Sequence, residues 1–144
     1  MSLNCHLARD AADVVVSRRA QAAYYHRELS RHADHIMLLR IPAKADPSWF
    51  GFPITVEPHV ESRVRVRWLE DSTIETRLVF GGNVLKQPAF RDITCCMPKA
   101  DNVTDAIMVR TFVIGVYPGL VPAMRDNVVD RFDRFFAGEA TDSP

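Results

Sequence analysis

Apolar residues recur at three- and four-residue steps over residues 7–31, where Ala11, Val15, Ala22, Tyr25 and Leu29 share one side and no Pro or Gly interrupts. The spacing predicts a long amphipathic helix with Arg18, Arg19, Arg27 and Glu28 on its solvated face. Such a helix runs roughly 37 Å at ~1.5 Å per residue, more than a small domain needs, and reads as a connector to something larger. The period then changes to two. Residues 36–41 form a compact apolar strand candidate ended by Pro42, and residues 49–56 form a second one, with Phe50, Phe52 and Ile54 on one side. Pro53 places this second strand at an edge or a bulge.

Residues 60–71 fit both periods. Val64, Val66 and Trp68 alternate with Arg63, Arg65 and Arg67 as in a strand, yet Val60, Val64 and Trp68 also stand at helical steps. A strand follows from Ile74, with Thr76, Leu78 and Phe80 pointing one way and Arg77 and Val79 the other. It breaks at Gly81-Gly82-Asn83, where positive φ is accessible and the backbone turns. Residues 84–90 read as short or irregular helix. Residues 91–100 read as loop. Asp101 is a plausible cap for a helix over 102–110, with Val103, Ala106 and Ile107 inward. Residues 111–116 are the cleanest strand, and Pro122 opens a last helix to about residue 136, with Met124, Val128, Val129, Phe132 and Phe135 inward, stopped by Gly138. The order of elements predicts an α/β (α+β) domain: a three- to four-stranded sheet with helices on one face.

At 144 residues, 47% apolar and 25% charged, the chain matches one globular domain of average composition. Its formal net charge of zero gives no sign of a nucleic-acid or anionic-membrane partner. No apolar run approaches a membrane span of about 18 residues, and the N-terminal pattern is not that of a signal peptide, so a cytoplasmic protein is expected. Cys5, Cys95 and Cys96 have no metal-ligand spacing and read as structural thiols in a reducing compartment.

Candidate chemistry concentrates on the turn after residue 78. Arg77, Asn83, Lys86 and Gln87 could grip a phosphate or sugar hydroxyls, with Asn83 offering a free amide; equally, this could be an ordinary corner whose polar residues are solvated. No catalytic constellation assembles. His6, His26, His32, His35 and His59 follow no ligand pattern, His32 and His35 are expected near helix-terminal carbonyls, and no metal site is expected. Lys44, Lys86 and Lys99 stand in no obviously apolar setting for Schiff-base work. Nucleophile elbows and phosphate loops are missing.

Three ordered blocks, PSWFGFPITV at 47–56, TRLVFGGNVLKQPAF at 76–90 and TFVIGVYPGL at 111–120, resemble the C-terminal part of the DegT/DnrJ/StrS family. That family comprises pyridoxal-phosphate-dependent sugar-nucleotide aminotransferases and dehydratases. The likeness is greatest to the lipopolysaccharide-biosynthesis branch that removes the 3-hydroxyl of a CDP-linked 4-keto-6-deoxyhexose. The resemblance favours helix over 60–71. It implies the small C-terminal domain of a fold-type I enzyme at 34–138, a helix at 1–33 leading in from a large domain, and a disordered tail at 139–144. It also implies that the cofactor, the catalytic lysine or histidine, and the cysteines of any iron–sulfur cluster belong to the large domain. No catalytic residue and no cofactor is then expected in this chain alone, and Cys95 and Cys96 are not cluster ligands. Carried over by position, Thr76, Arg77, Phe80, Asn83 and Gln87 line the substrate side of the cleft, with Trp49 and Phe50 on the adjoining strand. The implied partners are a nucleotide-linked sugar held weakly, a large-domain chain and further copies in a homo-oligomer. Lys86 stands where the branch commonly has Arg, and the loop over 91–100 is short, which bears on the detailed substrate contacts. The other reading is a stand-alone module that docks on a separate cofactor domain or senses sugar nucleotides.

Overall fold

The computed structural model describes residues 3–60, 62–79, 81–90, 93–94 and 103–138. Among these residues the elements run α1 (Leu3–Leu29), β1 (Ile36–Leu38), β2 (Gly51–Val56), α2 (Ser62–Asp71), β3 (Thr76–Leu78), α3 (Val103–Arg110), β4 (Thr111–Gly115) and α4 (Pro122–Phe136). Short 3-10 turns follow α1 at Ser30–His32 and β3 at Val84–Lys86 and Pro88–Phe90. The strands form one antiparallel sheet in the order β1-β2-β4-β3. The helix reading of residues 60–71 and the sheet with helices on one face are both found.

The sheet's inner face follows from the two-residue period. Phe52, Ile54 and Val56 are buried while Gly51, Pro53 and Thr55 between them are not, and in β4 the pairs Phe52↔Ile114 and Ile54↔Phe112 carry the same face across. Over that face lie Ala22, Tyr25 and Leu29 of α1, Leu69 of α2, and Val128, Val129 and Phe132 of α4, in one apolar cluster. The Tyr25 ring meets the Phe52 ring at 5.7 Å. In the described part of α1, burial begins only at Gln21; Val14 and Val15 are half-buried, Ala11 and Val16 exposed. The end of α1 is tied to α4 by charge: Asp133 accepts from both Arg31 and the His32 Nε2, the latter at 2.7 Å. His32 and His35 therefore turn toward α4, where His35 stacks on Phe136 and His32 packs against the same ring at a tilt, rather than toward helix-terminal carbonyls.

Other expectations are corrected. β1 stops at Leu38 because its next partner in register would be Pro53, which has no N–H to give. Since β1 ends there, β2 is an edge on that side at Pro53. Phe50 precedes β2 and is 82% exposed instead of facing inward with Phe52. Leu78 is 70% exposed, because it is the last residue of an outer strand and lies beyond Thr76, where α2 meets β3 through Glu70. No residue of α3 is buried. Val103 and Ile107 are exposed because α3 sits at the end of β2 and β4, not over the covered face, with Arg110 donating to the Val56 carbonyl. Met124, in the first turn of α4, is also exposed. Gly138, at φ 89°, ends α4 as expected. Asp101, Phe80, Cys95, Cys96 and the tail at 139–144 lie outside the described residues.

Burial among apolar side chains raises the Tyr25 hydroxyl to about 12 from its ordinary 10.0, with the neighbouring Tyr24 adding to the effect. The unfolded chain would ionise this phenol near its ordinary value while the folded one resists. Stability should thus be intact below about pH 10 and fall between about pH 10 and about pH 12. Denaturation midpoints measured across that window should show a decline that Tyr25→Phe reduces; an equal decline in both proteins contradicts the assignment.

Candidate functional site

The turn after β3 is built by local hydrogen bonding. Gly82 takes φ 64° and passes so close to Met108 of α3 that a Cβ would land on the thioether. Asn83 is buried, and its side-chain oxygen caps the following 3-10 turn by accepting from Leu85 N at 3.0 Å. Its amide nitrogen donates to Asp105 Oδ1 at 2.8 Å. Lys86 Nζ reaches the other Asp105 oxygen at 2.8 Å, and Gln87 donates to the Gly81 carbonyl. The Asn83 amide expected to be free is therefore engaged at both ends. The reason is that a buried amide must be paired, and α3 supplies the acceptor. Asp105 and Met108 were not singled out in the sequence; the one available signal was an acid in the first turn of a helix.

The other candidates divide among three places. Thr76 is buried and donates to Glu70 of α2 at 2.8 Å. Trp49 packs on Phe52 and lines a groove of about 790 Å³ with Ala22, Leu38, Ile41 and Pro47. Arg19 closes this groove by bonding the Asp46 and Pro47 carbonyls at 2.9 and 3.2 Å, so its guanidinium is committed to holding the loop. Phe50 and Arg77 meet in a second cleft, of about 550 Å³, with Glu75, Gly115 and Tyr117. Register places this cleft at the Gly51↔Gly115 end of the sheet, and the Asn83 turn follows β3 beyond the Leu78↔Phe112 pair, toward the other end. Arg77, Asn83 and Gln87 thus do not converge on one ligand group.

Chemically, the second cleft has the better equipment despite its smaller volume. Phe50 and Tyr117 are exposed aromatic side chains that line the cleft together with Gly51 and Gly115, and Arg77 is a cation whose ion-pair partner, Glu75, is itself exposed. An aromatic face with a guanidinium suits a flat ring joined to a phosphate.

A four-stranded antiparallel sheet with helices on one face is the architecture this chain shares with solved fold-type I aminotransferases and dehydratases. The structure of the E. coli GDP-4-keto-6-deoxy-D-mannose-3-dehydratase aligns over 88% of this chain and 33% of that one, at TM-score 0.77 and 17% identity. S. venezuelae DesV aligns over 99% and 36%, at 0.76 and 20%. Residues 4–133 match the DegT/DnrJ/EryC1/StrS aminotransferase family, and the chain belongs to it. Lipopolysaccharide biosynthesis protein RfbH of Salmonella typhimurium is 39% identical over 94% of this chain and 32% of its own length. A dTDP-4-dehydro-2,6-dideoxy-D-glucose 3-dehydratase of Saccharopolyspora spinosa is 41% identical over 65% and 21%. The chain thus spans a third or less of the length of these curated relatives. Among the described residues no helix is long and apolar enough to cross a membrane.

Removing the Asp105 carboxylate should leave the buried Asn83 amide without its acceptor, at a cost of about 1–3 kcal/mol. Asp105→Ala is expected to lower the urea midpoint accordingly and to speed amide exchange at Leu85. Arg77→Ala, which breaks only an exposed ion pair, should stay within about 0.5 kcal/mol of the parent. Equal effects from the two substitutions would contradict the division between a structural turn and an open cleft.

Proposed function

We propose that this chain supplies one wall of the sugar-nucleotide cleft of a pyridoxal-phosphate-dependent aminotransferase or 3-dehydratase of deoxysugar or lipopolysaccharide biosynthesis, and has no turnover by itself. The observation that carries the reading is the 39% identity to RfbH over 94% of the chain, combined with a span of only 32% of that relative. In this reading residues 34–138 act as the small domain, α1 leads toward a large cofactor domain, and that domain or a second copy covers the exposed apolar side chains of α1 and α3. Among the residues whose burial is described, Val16 on α1 and Val103 on α3 are exposed at 64% and 67%.

The described residues do not fit the cofactor itself. An internal aldimine needs a lysine that opens into a cavity. Lys86 is paired with Asp105 on the turn, Lys44 stands on an exposed loop, and neither lines the groove at Trp49 or the cleft at Phe50. Pyridoxal phosphate and the groups that act on it therefore belong, in this proposal, outside the described residues.

For the nucleotide sugar, the cleft at Phe50, Arg77 and Tyr117 offers a stacking surface and one phosphate contact. A charged hydrogen bond contributes about 1.5–3 kcal/mol net, against the roughly 8 kcal/mol that micromolar binding requires. Binding by this chain should accordingly be no tighter than millimolar. In an NMR titration with a CDP- or dTDP-linked 4-keto-6-deoxyhexose, shifts are expected at Phe50, Arg77, Gly115 and Tyr117, with smaller ones at Trp49. Asn83 and Gln87, bonded within their own turn, should move little. Shifts confined to another surface, or none at high ligand concentration, would overturn this assignment of the cleft.

A further inference from the structure

Two histidines that lie 24 residues apart in sequence meet at the corner where α1, β1 and β2 end. His35 stands just before β1 and His59 just after β2; the Glu57 N–H donates to the His35 carbonyl at 2.9 Å, and the pair Ile36↔Val56 extends the same ladder. The two segments are thereby fixed relative to each other by backbone, whatever the rings do. The His35 ring is further held by stacking on Phe136, centroids 4.6 Å apart and planes 12° from parallel. In that setting His59 Nε2 faces His35 Nδ1 at 3.5 Å, with ring centroids 5.7 Å apart.

That separation is at the outer limit for a hydrogen bond; for comparison, N–H···O bonds fall at about 2.7–3.2 Å. It is close to what a shared metal ion would impose. Two imidazole nitrogens, each ~2.0–2.1 Å from a tetrahedral ion, stand about 3.3–3.4 Å apart. We infer that His35 and His59 form a two-histidine site for a divalent first-row transition ion such as Zn²⁺, bound through His35 Nδ1 and His59 Nε2.

Imidazole ligands favour Zn²⁺, Ni²⁺ and Cu²⁺ over Mg²⁺ or Ca²⁺, which take oxygen. Among the described residues no group of three or more His, Cys, Asp or Glu side chains converges on one point, so the remaining positions on the ion go to water. His59 is exposed, which leaves room for that water. Such a site is exchangeable and acts as a clip between the entry to β1 and the exit from β2, next to the C-terminal end of α4. Neither residue lines the groove at Trp49 or the cleft at Phe50, so the site is independent of the sugar-nucleotide reading.

The test is calorimetric titration of the whole chain with Zn²⁺, set against His59→Gln and His35→Gln. His59 is an exposed turn residue, so its substitution should leave the fold intact, as circular dichroism can check. The parent should bind one equivalent more than His59→Gln, in the micromolar range, with any binding by Cys5, Cys95 or Cys96 common to both. His35→Gln should lose the same equivalent, and His32→Gln should keep it. In long-range ¹⁵N spectra of the imidazoles, Zn²⁺ should move His35 Nδ1 and His59 Nε2 together. Equal stoichiometry in parent and His59→Gln overturns the site, and so does a spectrum in which the two rings share one N–H and stay unmoved by Zn²⁺.

Discussion

The structure depends on the pairing of β2 with β4. Five residue pairs, from Gly51↔Gly115 to Thr55↔Thr111, fix which side chains of both strands face the helices. A slip of β2 by one residue would turn Phe52 and Ile54 out of the core, and a slip of β4 would do the same to Phe112 and Ile114. Each such large side chain contributes about 1.5–3 kcal/mol by leaving water, so one register has no close competitor. The same pairing determines where chemistry can sit. It holds Phe50 beside Gly115 and Tyr117 at one end, and at the other it sets Thr111 directly behind α3, whose Asp105 and Met108 hold the Gly82 turn.

What could be read in the sequence tracks how much of an element's stability is its own periodic burial. α4 carries Val128, Val129 and Phe132 at helical spacing, all of them buried, and its bounds and inward face were legible except at Met124. β4 was legible for the same reason. β3 and α3 were not, because β3 is an outer strand whose Leu78 lies beyond the Thr76 contact with α2, and α3 is held by polar contacts to the turn rather than by an apolar stripe. Periodicity cannot report a contact such as Asn83 with Asp105, which joins residues 22 apart through one hydrogen bond. The resemblance of three blocks identified the family, where spacing alone had only an α+β sheet to offer. It could not show that Arg77 and Asn83 occupy different places.

That division has an energetic side. Arg77 pairs with Glu75, and both side chains are about three-quarters exposed, at 77% and 74%. A pair of this kind contributes about 0–1 kcal/mol, so an incoming phosphate can take the guanidinium from Glu75 at little cost. Lys86 and Asn83 converge on a carboxylate that is only 19% exposed. Withdrawing either from Asp105 would strand a largely buried group, at a cost comparable to the whole gain from a phosphate contact. A polar cluster on a glycine-rich turn is thus an ambiguous signal: its residues can be committed to folding, while a single exposed arginine on the neighbouring outer strand stays available to a ligand.

The corner at His35 and His59 follows the same logic with the opposite sign. His32 is committed, since its Nε2 lies 2.7 Å from an Asp133 that also takes Arg31, and this cluster anchors the end of α1 to α4. His35 shares the Phe136 ring with His32, but its Nδ1 meets another imidazole, at a distance too long to be a strong hydrogen bond, and no carboxylate among the described residues. Backbone pairing holds the two segments together and the Phe136 stack holds the His35 ring, so the further freedom lost when something binds between the rings is mainly that of the His59 side chain. Preorganisation of this kind lowers the entropic cost of binding. A pair of imidazoles held that way, open to water on the His59 side, is suited to a cation that two nitrogens and water can satisfy.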